Sequence, residues 1–389
     1  MFSSRTSWRL AVNDLTRVLR AARVSGQEIL DLTVSNPTET GISPDPDIVL
    51  GVLANPDALR YDPQPRGLLE ARNAVCYYYR ESHRVFDLHP DQLILTTGTS
   101  EAYSYVFRVL CNPADEILVP KPSYPLFEFL ADLADVKLVP YPLIYDHGWQ
   151  IDFDSLYKAA GPRSRAVILV HPNNPTGSYV SEQETAALNH FCSDYGLALI
   201  VDEVFLDYAH DGEPRPSFAA NTDALTFTLS GISKISVLPQ MKFAWVATSG
   251  PKESVTEAGT RLEVIADTYL SMNAPIQLAA PTFLEQHKAV QPILLDRLRS
   301  NLSDLDRQLA AHPSCQRLQT EGGWYAVLRV PAVGTDEDLA VQLVRHAQVS
   351  VHPGHFYDFA REGYLVLSLI TRPEIFHDGI SRLLKFVSK

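Results

Sequence analysis

The sequence is short of what marks a secreted, membrane-spanning or nucleic-acid-binding chain. Cysteine is scarce: Cys76, Cys111, Cys192 and Cys315 are four in 389 residues, with no Cys-x-x-Cys pair. Such spacing fits neither a disulfide framework nor a metal site, and reads as buried thiols in a reducing, cytoplasmic compartment. Long apolar runs are missing as well. No stretch approaches the roughly 18 apolar residues that a membrane span needs. Positive charge is outnumbered, 33 Lys and Arg against 46 Asp and Glu, for a net charge of −13. An acidic chain gains nothing by displacing counterions from DNA, which excludes nucleic acid as a partner. Internal repeats and low-complexity segments are absent, and the 27 prolines are spread along loops.

What is present is ordinary for a globular chain: 46% apolar and 20% charged residues, enough for about two domains. The N-terminus is rich in Arg but carries Asp14 and runs directly into structured sequence. That favours a helical arm over a transit peptide. From residue 92, short apolar runs alternate with helical ones. Strand candidates are 92–97, 116–120, 136–140, 166–172, 197–202, 225–230 and 243–249, and helical periodicity fills 100–110, 124–134 and 182–196. Apolar strands separated by helices predict an α/β fold, a mostly parallel seven-stranded sheet sandwiched by helices. Ligands of such sheets collect at the carboxyl ends of strands. Beyond residue 290 the pattern changes to a long helix (284–311), strands at 324–330, 349–353 and 364–370, a helix over 336–347 and a closing helix to Lys389. The expected division is a large domain over 46–285 and a smaller α+β domain made of 1–45 plus 286–389. The apolar strand in "QEILDLTVSNP" cannot be buried alone, so the first segment joins the small domain.

Unusual residues gather where the strands end. "TTGTSEA" places Gly98, Thr99 and Ser100 at a turn into a helix, where backbone N–H groups and hydroxyls suit a phosphate. A capped helix start explains the same residues. "KPSYPLFEF" puts Tyr124 just past a strand, placed either to stack on a flat ring or simply to pack. "HPNNPTG" (171–177) sets two asparagines between prolines, a rigid loop with amide donors aimed outward, beyond what turn chemistry alone requires. "ALIVDEVFLDY" ends a buried strand with Asp202-Glu203. A carboxylate there needs a cation, such as a protonated ring nitrogen, or the donors of a helix N-cap. "LSGISK" brings Lys234 out of a strand and a glycine turn, with Lys242 eight residues on. Desolvation and a neighbouring cation both lower a lysine's pKa and free its lone pair. A solvated surface lysine is the plainer alternative.

In this order and spacing, "HPNNPTG", "VDEVF" and "SGISK" resemble the fold-type I pyridoxal-phosphate enzymes, in particular the class I/II aminotransferases. The resemblance covers about residues 30–385. It implies a dimeric, cytoplasmic aminotransferase, exchanging amino groups between an amino acid and a 2-oxo acid, with 46–285 as the cofactor-binding domain. The family pattern gives Lys234 the Schiff base with pyridoxal 5′-phosphate and the proton transfer at the substrate. It gives Asp202 the pyridine N–H⁺, Asn174 the ring's 3′-oxygen, and Tyr124 the ring face. Gly98, Thr99, Ser100, Ser233 and Lys242 hold the phosphate in that pattern. Tyr61, in "RYDPQPRG", matches a tyrosine that reaches the neighbouring subunit's phosphate, and Asn273 is a second candidate to cross over. Shared active sites imply a two-fold dimer.

Three departures stand out. Lys242 replaces the usual arginine and lacks its bidentate fork. Val366, in "YLVLSL", stands where the family carries the arginine for the substrate carboxylate. Arg372 is the nearest replacement, reaching the site only if the chain turns at 371–373. Asn36 and Asn174 are neutral donors, and His352 and His355 are sources of positive charge. This departure keeps a lyase or decarboxylase of the same fold in play. A non-catalytic ligand sensor is a more remote alternative, since no basic helical module is appended. The third departure is Phe205 in place of a tyrosine, which removes a hydrogen bond to the 3′-oxygen of order 1 kcal/mol. The Schiff-base pKa is therefore expected to be raised. An absorbance titration of the cofactor-loaded protein checks this, and a value well below neutrality contradicts it.

Overall fold

The computed structural model describes residues 2–8 and 10–388. A two-residue strand, β1 (Leu30–Asp31), opens the sheet structure. The large sheet takes β2 (Leu93–Thr96), β3 (Glu116–Lys121), β4 (Lys137–Tyr145), β5 (Trp149–Ile151), β6 (Ser164–Val170), β7 (Ala198–Asp202), β8 (Thr226–Gly231) and β9 (Ala244–Ser249). Their spatial order is β2-β9-β8-β7-β6-β3-β4-β5. Pairs among β8, β7, β6, β3 and β4 are parallel, while β9 runs antiparallel to both its neighbours. The seven expected strands are all in this sheet. The eighth, β5, folds back on the end of β4 through a turn at Asp146–Gly148.

β7 is buried at every position, as is β8. This is the burial that a sheet covered on both faces demands. Helices lie against it, among them Thr99–Leu110, Glu182–Tyr195 and Lys252–Tyr269. Ser181 and Glu184 form a reciprocal cap at the start of the second, and Gly196 ends it in the left-handed conformation. The helix expected over 124–134 begins only at Phe127, because Pro125 holds Tyr124 out of the helical region. The long helix expected over 284–311 is two, Ala274–Glu285 and His287–Leu309, broken at Gln286.

The smaller sheet is antiparallel: β10 (Gln316–Arg317), β11 (Tyr325–Arg329), β13 (His352–Pro353) and β14 (Tyr364–Ser368), in the order β10-β11-β14-β13. β12 (Val349–Ser350) pairs in parallel with β1. The helix expected over 336–347 is α-helical to Gln342 and closes on a π-helical turn, Leu343–Ala347. The last helix is Pro373–Val387, and its expected continuation to Lys389 ends outside the described residues. Leu15, Ala22, Leu32 and Ile42 share one buried core with Leu328, Val366, Leu367 and Phe376, so the N-terminal segment does bury its apolar side against the C-terminal part. No described helix is long and apolar enough to cross a membrane.

Loops from the two sheets are locked where they meet. Gly177 has φ +70°, and a Cβ there would stand 1.9 Å from Thr320 Oγ1 and 2.4 Å from the Gly322 carbonyl. The Gly177 carbonyl accepts from both Glu321 and Gly322 N–H. Gly177→Ala is expected to destabilise the fold by about 3 kcal/mol, from strain plus backbone collision. Urea unfolding checks this, and an unchanged midpoint contradicts it.

Candidate active site

Strand register assembles the site. Thr96 pairs with Ala244, which pairs with Gly231 on its other side. Val170 pairs with Asp202, and Asp202 with Leu229. The residues that follow these strands therefore leave the sheet along one edge, the carboxyl edge of its parallel strands. Gly98, Asn174, Asp202, Ser233 and Lys234 all stand at or just beyond that edge.

Lys234 lies in the single helical turn Ile232–Ile235, anchored through its carbonyl by the Tyr208 hydroxyl at 2.6 Å. Its Nζ donates to the Ser35 carbonyl at 3.5 Å. It also faces the rings of Trp324, 4.7 Å from the centroid, and Phe205, 5.7 Å away. Burial lowers its pKa to about 8, while the charge of Asp202 acts in the opposite direction. The amine is thus far closer to its nucleophilic form at neutral pH than an exposed lysine.

Asp202 is buried and raised to about 6 by desolvation, against hydrogen bonds from Val204 N–H (3.1 Å) and the Tyr103 hydroxyl (3.2 Å). Glu203, also buried, is raised to about 7 by desolvation. It accepts from Ser217 Oγ and Phe218 N–H, both at 2.7 Å. Two adjacent carboxyls thus have different tasks. Glu203 is hydrogen-bonded by neutral donors and holds the chain, whereas Asp202 has two neutral donors and, through space, the charge of Lys234 to favour its ionised form.

The phosphate candidates converge on the N-terminus of helix Thr99–Leu110. A Cβ on Gly98 would stand 3.2 Å from Lys242 Nζ, so the ammonium lies directly against the glycine backbone. Ser233 is half-buried on the first turn beyond β8. The two asparagines of the 171–177 loop divide roles. Asn173 turns inward, donating to the Pro122 carbonyl and Thr176 Oγ1. Asn174 is buried with Oδ1 lacking any partner among the described residues. Tyr124, 40% exposed, is near enough to Asp202 for that charge, after burial, to raise its pKa.

An unpartnered buried amide, a glycine cradle closed by an ammonium, a buried carboxylate with no cation in direct contact and a lysine of lowered pKa fit a phosphorylated, protonated pyridine aldehyde.

Other sequence candidates sit differently. Asn36 accepts from Thr38 N–H and Oγ1, and its Nδ2 donates to Glu39 at 3.0 Å, so both amide ends are engaged in its own turn. Arg372 is exposed at the start of the last helix with its guanidinium beside Gly41. The chain does turn at Pro373, but none of that side chain's polar contacts among the described residues reaches the Lys234 cluster. Val366 is fully buried between Val327 and His352. Burial lowers the pKa of His352, whose Nδ1 meets the Tyr357 hydroxyl at 3.0 Å. His355 is exposed, 3.9 Å from Glu337. Tyr61 is 79% exposed, and Asn273 is an exposed helix cap. Neither contacts the site within the chain. Tyr103, Ser35, Tyr208 and Trp324 were not evident in the sequence. Each is a hydroxyl or ring in an apolar or turn context, indistinguishable there from packing; the Gly322-Gly323 pair before Trp324 is the one signal.

Asp202 supports a linkage prediction. Raised above its ordinary 3.8, this carboxyl binds its proton more readily in the folded chain. Its ionisation therefore costs stability in full above about pH 6 and nothing below about 3.8. Without cofactor, Asp202→Asn is expected to be more stable than the parent by about 2 kcal/mol at pH 8, the gap closing toward pH 4. Equilibrium unfolding at both pH values tests this, and equal stability at pH 8 contradicts it.

Comparison with known proteins agrees with the geometry. The sequence matches the family "Aminotransferase class I and II" over residues 27–375. It is 26% identical to the glutamate-pyruvate aminotransferase AlaA of Haemophilus influenzae, covering 93% of this chain and 91% of that one. It is 28% identical to the alanine aminotransferase of Mycobacterium tuberculosis, covering 91% and 84%. Its fold superposes on an alanine aminotransferase from Pyrococcus furiosus with a TM-score of 0.90 at 24% identity, over 100% of this chain and 99% of that one. An aspartate aminotransferase from Thermotoga maritima gives 0.84 at 21% identity, over the whole of both chains. With the family matched over residues 27–375, nearly the whole chain, the chain belongs to the class I and II aminotransferases.

Proposed function

We propose that this aminotransferase holds pyridoxal 5′-phosphate covalently on Lys234 and uses it to move an amino group from an amino acid to a 2-oxo acid. When bound, this cofactor receives the amino group at its aldehyde carbon and draws off the electron pair left at the substrate's Cα. The residues do the rest. Asp202 would pair with the ring N–H⁺ and keep that proton in place. The Asn174 amide would hold the ring's 3′-oxygen, and Tyr124 would stack on the ring. Gly98, Thr99, Ser100, Ser233 and Lys242 grip the phosphate through backbone N–H groups, hydroxyls and an ammonium. The Lys234 amine, once released, carries the proton at the substrate's Cα as acid and base. Tyr61 and Asn273 serve the site of a second copy, in a homodimer with shared active sites. Exposure of the Tyr61 ring supports that assignment, and four free cysteines suit a reducing cytoplasm.

The observation that carries this reading is the pairing of Lys234, desolvated to a pKa of about 8, with buried Asp202. The names of the curated relatives make alanine or glutamate the first donors to try, and pyruvate the first acceptor. With an amino donor alone, the cofactor's absorbance should shift from its aldehyde to its amine form in one half-reaction. Product release with the aldehyde spectrum retained would favour a lyase, and no turnover would favour a sensor. Lys234→Ala should abolish both the shift and borohydride fixation of the cofactor. Persistence of either contradicts the reading.

Val366, where the family pattern carries the carboxylate arginine, is fully buried, and burial disfavours the neighbouring His352 as a cation. Val366→Arg would place a guanidinium in that apolar setting, so it is expected to lower the midpoint of urea unfolding. An unchanged midpoint would show that the new side chain escapes burial.

A further inference from the structure

Trp324 packs edge-on against Phe205 and Tyr208, with centroids 5.2 Å away in both cases. Its backbone is fixed: Gly323 N–H donates to the Tyr208 carbonyl, and the Trp324 carbonyl accepts from Leu369. Gly322 lets the loop approach, since a Cβ there would stand 2.6 Å from the Tyr179 hydroxyl and 2.8 Å from the Tyr208 carbonyl. The indole is fully buried, and its N–H has no hydrogen-bond partner among the described residues. A phenylalanine would fill an apolar site without burying an unpaired donor. What indole adds is the stronger negative face of its ring, and that ring lies 4.7 Å from Lys234 Nζ.

We propose that Trp324, seconded by Phe205, is the positioning residue of the active-site lysine: its ring face is where the Lys234 ammonium rests whenever it carries no covalent partner. The proposal rests on the reading of Lys234 as the covalent anchor. Several elements act on this amine. Asp202 at the end of β7 attracts it through space, the Ser35 carbonyl beyond β1 accepts from it, and Phe205 and Trp324 face it with their rings. Burial pulls the amine toward neutrality, and aromatic faces act against that pull by favouring the charged form. Anchored through its carbonyl by Tyr208, which itself packs on Trp324, Lys234 is held at both ends by one aromatic group. The lysine is thereby kept from swinging into solvent during the interval in which it must return a proton.

The test is a site-resolved titration of Lys234 in the chain stripped of cofactor. Isotope-labelled reductive methylation is run across pH, and mass spectrometry reads modification at that position. Trp324→Leu should lower the midpoint by about one pH unit, the size of a desolvated cation–π contact. Trp324→Phe should restore most of it, and Phe205→Leu should give a smaller drop. A purely structural role predicts no such order. If Trp324→Leu loses its near-ultraviolet circular dichroism and does not fold, the Phe205→Leu and Trp324→Phe midpoints decide instead. Midpoints equal to the parent's in every folded variant overturn the proposal. Failure of the covalent-anchor reading would be seen separately, as failure of borohydride to fix pyridoxal phosphate on Lys234 in the parent chain.

Discussion

A half-buried amine and a buried carboxylate set the terms for everything around them. Lys234 and Asp202 act on each other through space, with no hydrogen bond joining them, and burial pushes each toward its neutral form. Neither arrangement favours folding. Isolated buried charges are tolerated only where the rest of the chain over-determines the geometry. Here the determination comes from strands buried on both faces. β7 carries Asp202 as its last residue, and β8 delivers the turn that carries Lys234. The pair is a destabilising site held in place by a well-packed sheet, the usual relation between stability and activity.

The second set of constraints comes from outside the large sheet. Backbone bonds run from Leu30 and Leu32 to Gln348 and Ser350, and from Ser368 to Leu32. The Ser368 hydroxyl adds a bond to the Val34 carbonyl. The chain's first strand is thus stitched into its last sheet, and the stitch ends at Ser35, whose carbonyl meets Lys234. Residues hundreds of positions apart in sequence fix one amine. The N-terminal strand, held by the small sheet, therefore acts as a clamp for the lysine.

Much of this was legible in the sequence, for a physical reason. Doubly buried strands read as continuous apolar runs, so their ends are sharp, and polar residues at those ends stand out: Gly98, Asn174, Asp202 and Lys234 are all of this kind. β5 was not legible. It is three residues long, and β4 before it contains Pro140 and Pro142, which argue against a strand. Tyr103 was not legible either, because a buried aromatic at helical spacing is the ordinary signature of a core. Asn36 seemed a free donor, but an Asx turn takes up its amide. Arg372 offers a charge near the right place in sequence, yet sequence cannot say which way a helix start points its side chain.

The two sheets differ in the kind of residue they bring toward Lys234. On the large-sheet side, specificity is built from charge and backbone: a helix start, an ammonium, a carboxylate and an orphaned amide. On the small-sheet side, Val327, Val366 and His352 are register partners and share a face with the Tyr325–Ser368 pair. A neutral imidazole bonded to a phenol is the nearest thing to a cation there. Charged sites discriminate by sign, whereas neutral ones discriminate by shape and by unpaired donors. The charged groups thus gather at the strand ends of the large sheet, while the face around Val366, His352 and Tyr357 is apolar or neutral, which is why a cation for a carboxylate has to be sought elsewhere than in the small sheet.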